Sequence, residues 1–460
     1  MRNKFFGDRA FYRKLIVLML PIMVQNGITN FVNMLDNIMI GAVGTAPMTG
    51  VAIANQLLFV FNFCIFGVVS GAGIFGAQFF GSGDHEGVRY TFRFKLIFSM
   101  LLSLGCIALL LFAGEDLLLL YMQGNVDSAE MAETLAYGKS YLLIMLIGLL
   151  PYALAQCYSG TLRESANPVL PMVAGVIAVV VNLIGNYILI FGKFGAPALG
   201  VNGAAIATVI SRFAELAIVM FKTHTQKERY SFMRGVYRSL YLPRSLASKL
   251  FFKSIPLMLN ETIWACGIAM LAQCYSLRGL EAVTAHSISS TFWQVFAVAH
   301  MAVGAAVGII LGQLLGAGKL EEARESSYRM LTFSFLLACA VSMVYAVAAL
   351  FIPYAYNTEP EIQALATTIM HLTCLSMPFD AMTNASYFVL RSGGKMIITF
   401  IFDSGFMWFG NVAVAFVLSR FTALTFPQIF AAIQLMCVFK SFLGVTLVHK
   451  GGWVRNIIAK

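Results

Sequence analysis

Apolar runs of about 20 residues or more, each long enough to cross a bilayer as a helix, recur twelve times along this chain. They cover residues 15–40, 47–80, 94–114, 132–161, 167–192, 199–222, 249–276, 282–315, 328–354, 361–390, 396–419 and 426–449. Of the 460 residues only 11% are charged and 59% are hydrophobic, whereas a soluble domain carries about 25% charged residues. So few charges cannot build the aqueous surface of a soluble protein this size, and lipid is the expected solvent. The longest runs exceed one crossing and are expected to tilt or to extend past the bilayer.

The positive charges set an orientation. On the odd-numbered side stand Arg2, Lys4, Arg9, Arg13 and Lys14, then Arg89, Arg93 and Lys95, then Arg163. The middle loop adds Lys222, Lys227, Arg229, Arg234, Arg238, Arg244, Lys249 and Lys253. Lys319, Arg324, Arg329, Arg391, Lys395, Lys450, Arg455 and Lys460 complete a set of 25. The opposite side holds Lys193, Arg278 and Arg420, while Lys139, Arg212 and Lys440 fall inside spans. Lys and Arg accumulate in cytoplasmic loops, so both termini are expected in the cytoplasm of a multi-pass protein of the inner or plasma membrane. The net charge of +10 is read as this topological bias, and no nucleic-acid partner is expected. The stretch MRNKFFGDRAFYRK is too polar for the apolar region of a signal peptide, so the first span is expected to remain uncleaved.

The chain also repeats itself. At an offset of 235 residues Pro21 falls on Pro256, Met23 on Met258, Gly44 on Gly279, Thr49 on Thr284, Gly73 on Gly308 and Gln78 on Gln313. Gly81, Gly83 and Arg89 fall on Gly316, Gly318 and Arg324. Further on the offset becomes 228, matching Leu162–Arg163 with Leu390–Arg391 and Arg212 with Lys440. Six spans per copy is an even number, so both copies enter the membrane in the same sense. The expected fold is an all-α polytopic membrane protein, with twelve transmembrane helices in two six-helix lobes. The lobes are expected to be related by a pseudo-two-fold axis along the membrane normal. Residues 1–222 form the expected N-lobe, 223–248 a basic cytoplasmic linker with topological charges, and 249–460 the C-lobe.

Ionisable side chains at mid-bilayer cost about 2.5–3.5 kcal/mol on insertion scales, so each needs a partner, water or a function. In the first span Asn26, Asn30, Asn33 and Asn37 follow 4-3-4 spacing on one helix face, with Gln25, Thr29 and Asp36 on the adjacent stripe. Asp36 is the acid of that span and is expected to bind an ion or a proton; a structural hydrogen-bond hub is the alternative. In the fifth span Asn182 and Asn186 lie four apart on one face, and their carbonyls suit a hard cation beside a carboxylate. Interhelical hydrogen bonding explains them equally well. Thr208 in the sixth span is a further candidate for this cation or proton site.

The second half carries different chemistry. Asn260, Glu261 and Gln273 lie in the seventh span and Asp380 in the tenth. At the repeat offsets Glu261 falls on Asn26, Asp36 on Leu271 and Asp380 on Tyr152. These acids were therefore not simply duplicated. A cavity holding Glu261 and Asp380 would attract organic cations or protons, making these residues with Asn260 and Gln273 a candidate substrate or second coupling site. Arg212 and Glu215 are three apart and suited to mutual neutralisation. Lys440 repeats the Arg212 position, and a structural or gating role is expected for both cations. Asp403 is read as a local cap or pair, and His286 as a satisfied core histidine. The eight cysteines (Cys64, Cys106, Cys157, Cys266, Cys274, Cys339, Cys374 and Cys437) sit in apolar segments without ligand spacing. Neither a disulfide framework nor a resident metal is expected, and no cofactor.

The chain resembles the multidrug and toxic compound extrusion (MATE) transporters. The resemblance runs over nearly the whole length, through LDNIMIGAVG, QFFGSGD, LRESANPVL, VNLIGNYILIFGKFGAPALGVNGAAIAT, PLMLNETIW, QLLGAGKLEEAR and FDAMTNASYFVLRSGGK. It implies a twelve-helix, two-lobed fold and cation-coupled export by alternating access. It also implies an N-lobe cation or proton site at positions matching Asp36, Asn182 and Asn186. Some members carry a second acid where Asn186 stands, so this chain has one carboxylate there. The family's span-ten acid matches Asp380 well, and its span-seven acid matches Glu261 less closely.

The expected function is a Na⁺- or H⁺-coupled antiporter of drugs or organic cations, working as a monomer in the lipid bilayer, with transient Na⁺ at Asp36. The alternative is a lipid or lipid-linked oligosaccharide flippase of a related two-lobed fold, which calls for a strongly cationic cavity. The chain has no Walker lysine motif, HExxH or triad spacing, so an enzyme is not expected.

Overall fold

A computed structural model describes residues 5–121, 128–356 and 358–459. Arg2, Lys4 and Lys460 of the charge count therefore lie outside the described residues. The described chain is all-helical. Helix α1 is Arg9–Gly41, α2 Thr45–Gly81, α3 His85–Tyr121, α4 Ser128–Ile147, α5 Leu149–Glu164, α6 Val169–Phe191 and α7 Val201–Thr225. Then follow α8 (Arg244–Ser276), α9 (Leu280–Gly316), α10 (Leu320–Ala349) and α11 (Pro360–Ser392). The last two are α12 (Met396–Phe421) and α13 (Phe426–His449). Among the described residues eleven helical segments are long and apolar enough to span, and the bent pair α4–α5, taken as one span, makes twelve. The bend of 47° has a local cause. Pro151 cannot donate to the Ile147 carbonyl one turn back, and Gly148 at the break leaves room for the Arg212 stem and Val209, which a Cβ would meet at 3.1 Å.

The repeat is visible in the element boundaries. Helices α1 and α8 are both 33 residues long and α2 and α9 both 37, each pair starting 235 residues apart. Pro21 and Pro256 occupy the same place inside α1 and α8. Each lacks the N–H that would close one helical hydrogen bond.

The packing units differ from the boundaries at 222 and 249. One unit comprises Met1–Met23, Ala77–Asp84 and Leu259–Lys460, and the other Val24–Gly76 and His85–Met258. Helices α1 and α8 each change unit two residues after their proline, where the helix is easiest to redirect. In the first unit Leu15, Leu18, Met19 and Ile22 join a core with Ala302, Val303 and Ala306 of α9. In the second, Gly67 and Gly71 of α2 let α8 approach: an added Cβ would sit 2.5 Å from the Met258 Cα and 2.6 Å from the Ser254 hydroxyl.

Two groups of cations counted as loop charges prove to be structural. Lys95 is fully buried in α3, and its Nζ donates to both Glu164 carboxylate oxygens (2.7 and 2.6 Å) and to Thr161 Oγ1 (3.1 Å). Gly73 and Gly76 of α2 face that carboxylate, and a Cβ at either would collide with its oxygens. Removing one partner of a buried pair leaves an uncompensated charge, at about 3–5 kcal/mol. Glu164→Ala should therefore lower thermal stability strongly in detergent. The double variant Lys95→Met/Glu164→Gln should recover most of the loss. Equal melting of the single variant and the wild type would show that the pair contributes nothing.

The second group is Arg93, also buried. It donates through Nε to the Val236 carbonyl (2.8 Å) and through its two terminal nitrogens to Tyr241 and Gly235 carbonyls (3.1 Å each). The connection between the halves is thereby docked on α3. Helix α7 runs to Thr225 and α8 starts at Arg244, which shortens the expected 223–248 linker to 226–243. Within it Tyr230, Phe232, Met233 and Val236 are buried.

Candidate functional site

The first site is built where α1, α6 and α7 meet. Asn182 and Asn186 lie one turn apart on the buried face of α6. Small residues on α7 allow the approach, since Ala207 and Gly203 lie against Gly185 and the Leu189 carbonyl. Asn186 Nδ2 donates to Asp36 Oδ1 at 2.6 Å. The Asn182 amide can present either end. In one orientation its nitrogen donates to Thr208 Oγ1 at 3.1 Å and its oxygen accepts from Asn186 Nδ2 at 3.3 Å. Turned over, its nitrogen lies 3.1 Å from each Asp36 oxygen, and its oxygen accepts from Thr208 Oγ1 at 3.1 Å. The second orientation suits an ionised carboxylate, because it replaces an acceptor–acceptor contact by two hydrogen bonds. Asn186 Oδ1 is buried and has no hydrogen-bond partner among the described residues.

All four candidates of this site, Asp36, Asn182, Asn186 and Thr208, are brought together. The asparagine face of α1 is not. Asn26 and Asn30 are half-buried and Asn33 exposed, and none joins the cluster; the Asn37 side chain lies outside the described residues. Gln25 is held elsewhere, accepting from Arg163 at 2.8 Å and packing beside Gly175.

The second-half candidates separate. Glu261 accepts from the Tyr387 hydroxyl at 3.0 Å and lies within electrostatic range of Arg391. Asp380 stands near His300 instead, Oδ2 to Nε2 at 3.7 Å. Tyr387 and Asp380 are seven residues apart on α11, about 10.5 Å along its axis, so the two acids occupy different levels of the helix. Gln273 is exposed and more than three turns beyond Glu261, outside either group. Asn260 is fully buried and central. Its Nδ2 donates to Asp403 Oδ2 at 2.9 Å, and its Oδ1 accepts from Ser404 at 2.7 Å.

In the sequence Asp403 reads as a local cap or pair, but its partners are distant. It is the counter-ion of Lys440, whose Nζ lies 2.7 Å from Oδ1 and over the rings of Phe402 and Phe406. Two π-helical segments of α12, Ile401–Gly405 and Met407–Val412, surround this position and widen the helix where Asp403 and Ser404 turn toward α8. The signal was available: a lysine within a span requires an acid, and Asp403 lies in the preceding span. Arg212 packs over the Tyr152 ring at 5.0 Å, and Glu215 is within electrostatic range of it and of Arg163. His286 sits among Tyr275 and Phe430, as expected of a core ring, but its Nδ1 is buried without a hydrogen-bond partner among the described residues.

Twelve helical spans among the described residues, a duplicated scaffold and ionisable side chains held between helices define a polytopic α-helical membrane protein. A family model described as MatE matches residues 21–188 and 256–436, well over half of the chain. The chain belongs to this family, the MATE transporters. Among curated relatives, a probable multidrug resistance protein NorM from Thermotoga maritima is 24% identical over 454 residues, covering 97% of this chain and 94% of that protein. The multidrug resistance protein MdtK of Pectobacterium atrosepticum is 26% identical over 382 residues, covering 82% and 81%. Among solved structures, an outward-facing multidrug resistance MATE family transporter matches with a TM-score of 0.86 at 16% identity, covering 97% and 96% of the two chains. A mutant of the Vibrio cholerae MATE transporter VcmN matches at 0.83 and 18%, covering 96% and 97%. These likenesses establish the twelve-helix, two-lobed fold.

Proposed function

We propose that this protein is a Na⁺- or H⁺-coupled antiporter that exports drugs or organic cations by alternating access. The multidrug resistance names of its relatives support the export role. The observation that carries the coupling role is the single carboxylate of Asp36, faced by two amides, one of them held by the Thr208 hydroxyl, with the buried Asn186 carbonyl left without a hydrogen-bond partner among the described residues. When the site is empty, the Asn182 nitrogen serves the ionised carboxylate. When a proton or Na⁺ is bound, Asn182 turns its carbonyl inward, and Asn186 supplies a second amide oxygen. A hard cation is suited by such an oxygen set. Binding drives transport only through its unequal affinity for the two access states. In the same reading, supported by the Lys/Arg asymmetry, both termini lie in the cytoplasm and the protein works as a monomer in the plasma membrane.

The flippase alternative needs free cations for a pyrophosphate. Lys440 is engaged by Asp403 and Arg212 by an aromatic face, which argues against it. The deciding measurement is efflux of an organic cation from proteoliposomes under separately imposed gradients. One of Na⁺ or H⁺ should drive uphill export by itself, and export indifferent to both would refute coupling.

A further inference from the structure

The docked connection between the halves carries a feature that topology does not require. It forms one wall of an open cavity of about 780 Å³, lined by Arg89, His224, Lys227, Arg234, Tyr237 and Arg238 among others. Four lining residues are cations and, among the described residues, none is a carboxylate. Nor do Lys227, Arg234 or Arg238 form an ion pair among the described residues. Like charges concentrated around one concavity repel each other, and a bound anion relieves that repulsion.

The wall is held in shape from behind. Arg93 binds the Gly235 and Val236 carbonyls, and Arg89 Nε donates to Phe232 at 3.4 Å. Gly235 turns the chain at φ +71°, a conformation that favours glycine. The Tyr158 hydroxyl bonds both Tyr237 and His224, whose ring stacks on Tyr237. The cations thus project from a fixed loop.

We infer that this cavity is a binding site for a phosphate-bearing anion, gripped by Arg89, Lys227, Arg234 and Arg238. Its position favours a lipid headgroup as the source. Arg89 lies in the second turn of α3 and His224 at the last turn of α7, so the cavity sits at the ends of two spanning helices, at the level of headgroups. Beside it Tyr237, Leu240 and Tyr241 are exposed by 52%, 59% and 65%, and aromatic side chains are enriched at that interface. Basic pockets between spanning helices suit anionic lipids.

The test uses the purified full-length transporter, without an ion gradient, so its outcome is independent of coupling. Native mass spectrometry counts retained lipid as phosphatidylglycerol or phosphatidylcholine is titrated in, and calorimetry follows pyrophosphate as a soluble probe. Lys227→Gln/Arg234→Gln/Arg238→Gln should need on the order of a hundredfold more phosphatidylglycerol for equal retention, with phosphatidylcholine unaffected. A control that removes equal charge outside the cavity, Lys222→Gln/Arg229→Gln/Arg244→Gln, should behave as wild type. If pyrophosphate binds the wild type and the control, fails to bind the cavity variant, and no phosphatidylglycerol preference exists, the anion site stands with a soluble source. The inference is overturned if cavity variant and wild type bind both probes alike, or if the control loses as much as the cavity variant. Matching size-exclusion profiles and melting curves confirm that the exposed substitutions leave the fold intact.

Discussion

Asp36→Asn is expected to yield a folded protein that no longer exports substrate against a gradient. The substitution preserves shape, and the new amide oxygen still accepts from Asn186 Nδ2, which now lies 2.6 Å from Oδ1. What disappears is the negative charge. At an effective dielectric of about 20, one unit charge 4 Å from a cation contributes on the order of 4 kcal/mol, close to a thousandfold in affinity. A site that loses this much affinity releases its ion in both access states and transmits no gradient. Efflux from proteoliposomes, with protein melting as a fold control, checks the claim. Gradient-driven export at the wild-type rate would remove Asp36 from the mechanism.

The second large effect concerns glycines that no charge argument would select. Gly81 ends α2 and Gly316 ends α9, and each lies against the other repeat's glutamine. A Cβ at Gly81 would fall far inside van der Waals contact of the Gln313 carbonyl oxygen, and one at Gly316 equally close to that of Gln78. The obstacle is backbone, which cannot swing aside as a side chain does. Both contacts lie in one packing unit. They are reinforced by Gln78, which donates to the Ser392 carbonyl (3.0 Å) and accepts from the Ile457 amide (2.9 Å). Overpacking of this kind typically costs 1–3 kcal/mol, occasionally more. Gly316→Ala should lose about that much stability, and Gly81→Ala/Gly316→Ala more. Gly105→Ala serves as control, because its Cβ would meet nothing within 4 Å. Thermal unfolding in detergent measures all three, and a Gly316→Ala curve matching that of Gly105→Ala would contradict the steric account.

This crossing also explains why QFFGSGD and QLLGAGK look alike. Each copy packs against its counterpart, so the Gln and Gly of one are the surroundings of the other. Sequence comparison found the repeat without finding this reason for it. The site was legible to a similar degree. Asn182 and Asn186 are one turn apart, a local spacing that any helix turns into a shared face, and Asp36 is the acid of its span. The long-range ion pairs were less legible: a charge inside a span calls for a partner without saying which one. Asp403 meets Lys440 across 37 residues, and Lys95 meets Glu164 across 69. Periodicity along one helix carries no information about which neighbour it will face.

By itself the sequence determined the number of spans, their helical nature, the duplication and the polar stripe around Asp36. The duplication is read from matches at a constant offset; the other three follow from interactions within a single helix, or between a helix and its solvent: hydropathy, 3.6-residue spacing and the cost of charge in lipid. Only the tertiary structure decided which charges are paired. It moved Lys95 and Arg93 from topological signals to buried partners, separated Asp380 from Glu261, and gathered Asp403, Lys440 and Asn260 into one network. Those outcomes depend on how helices cross. Crossings are set by close-approach positions such as Gly67, Gly71, Gly81 and Gly316, where contacts between distant residues compete and no local pattern records the winner.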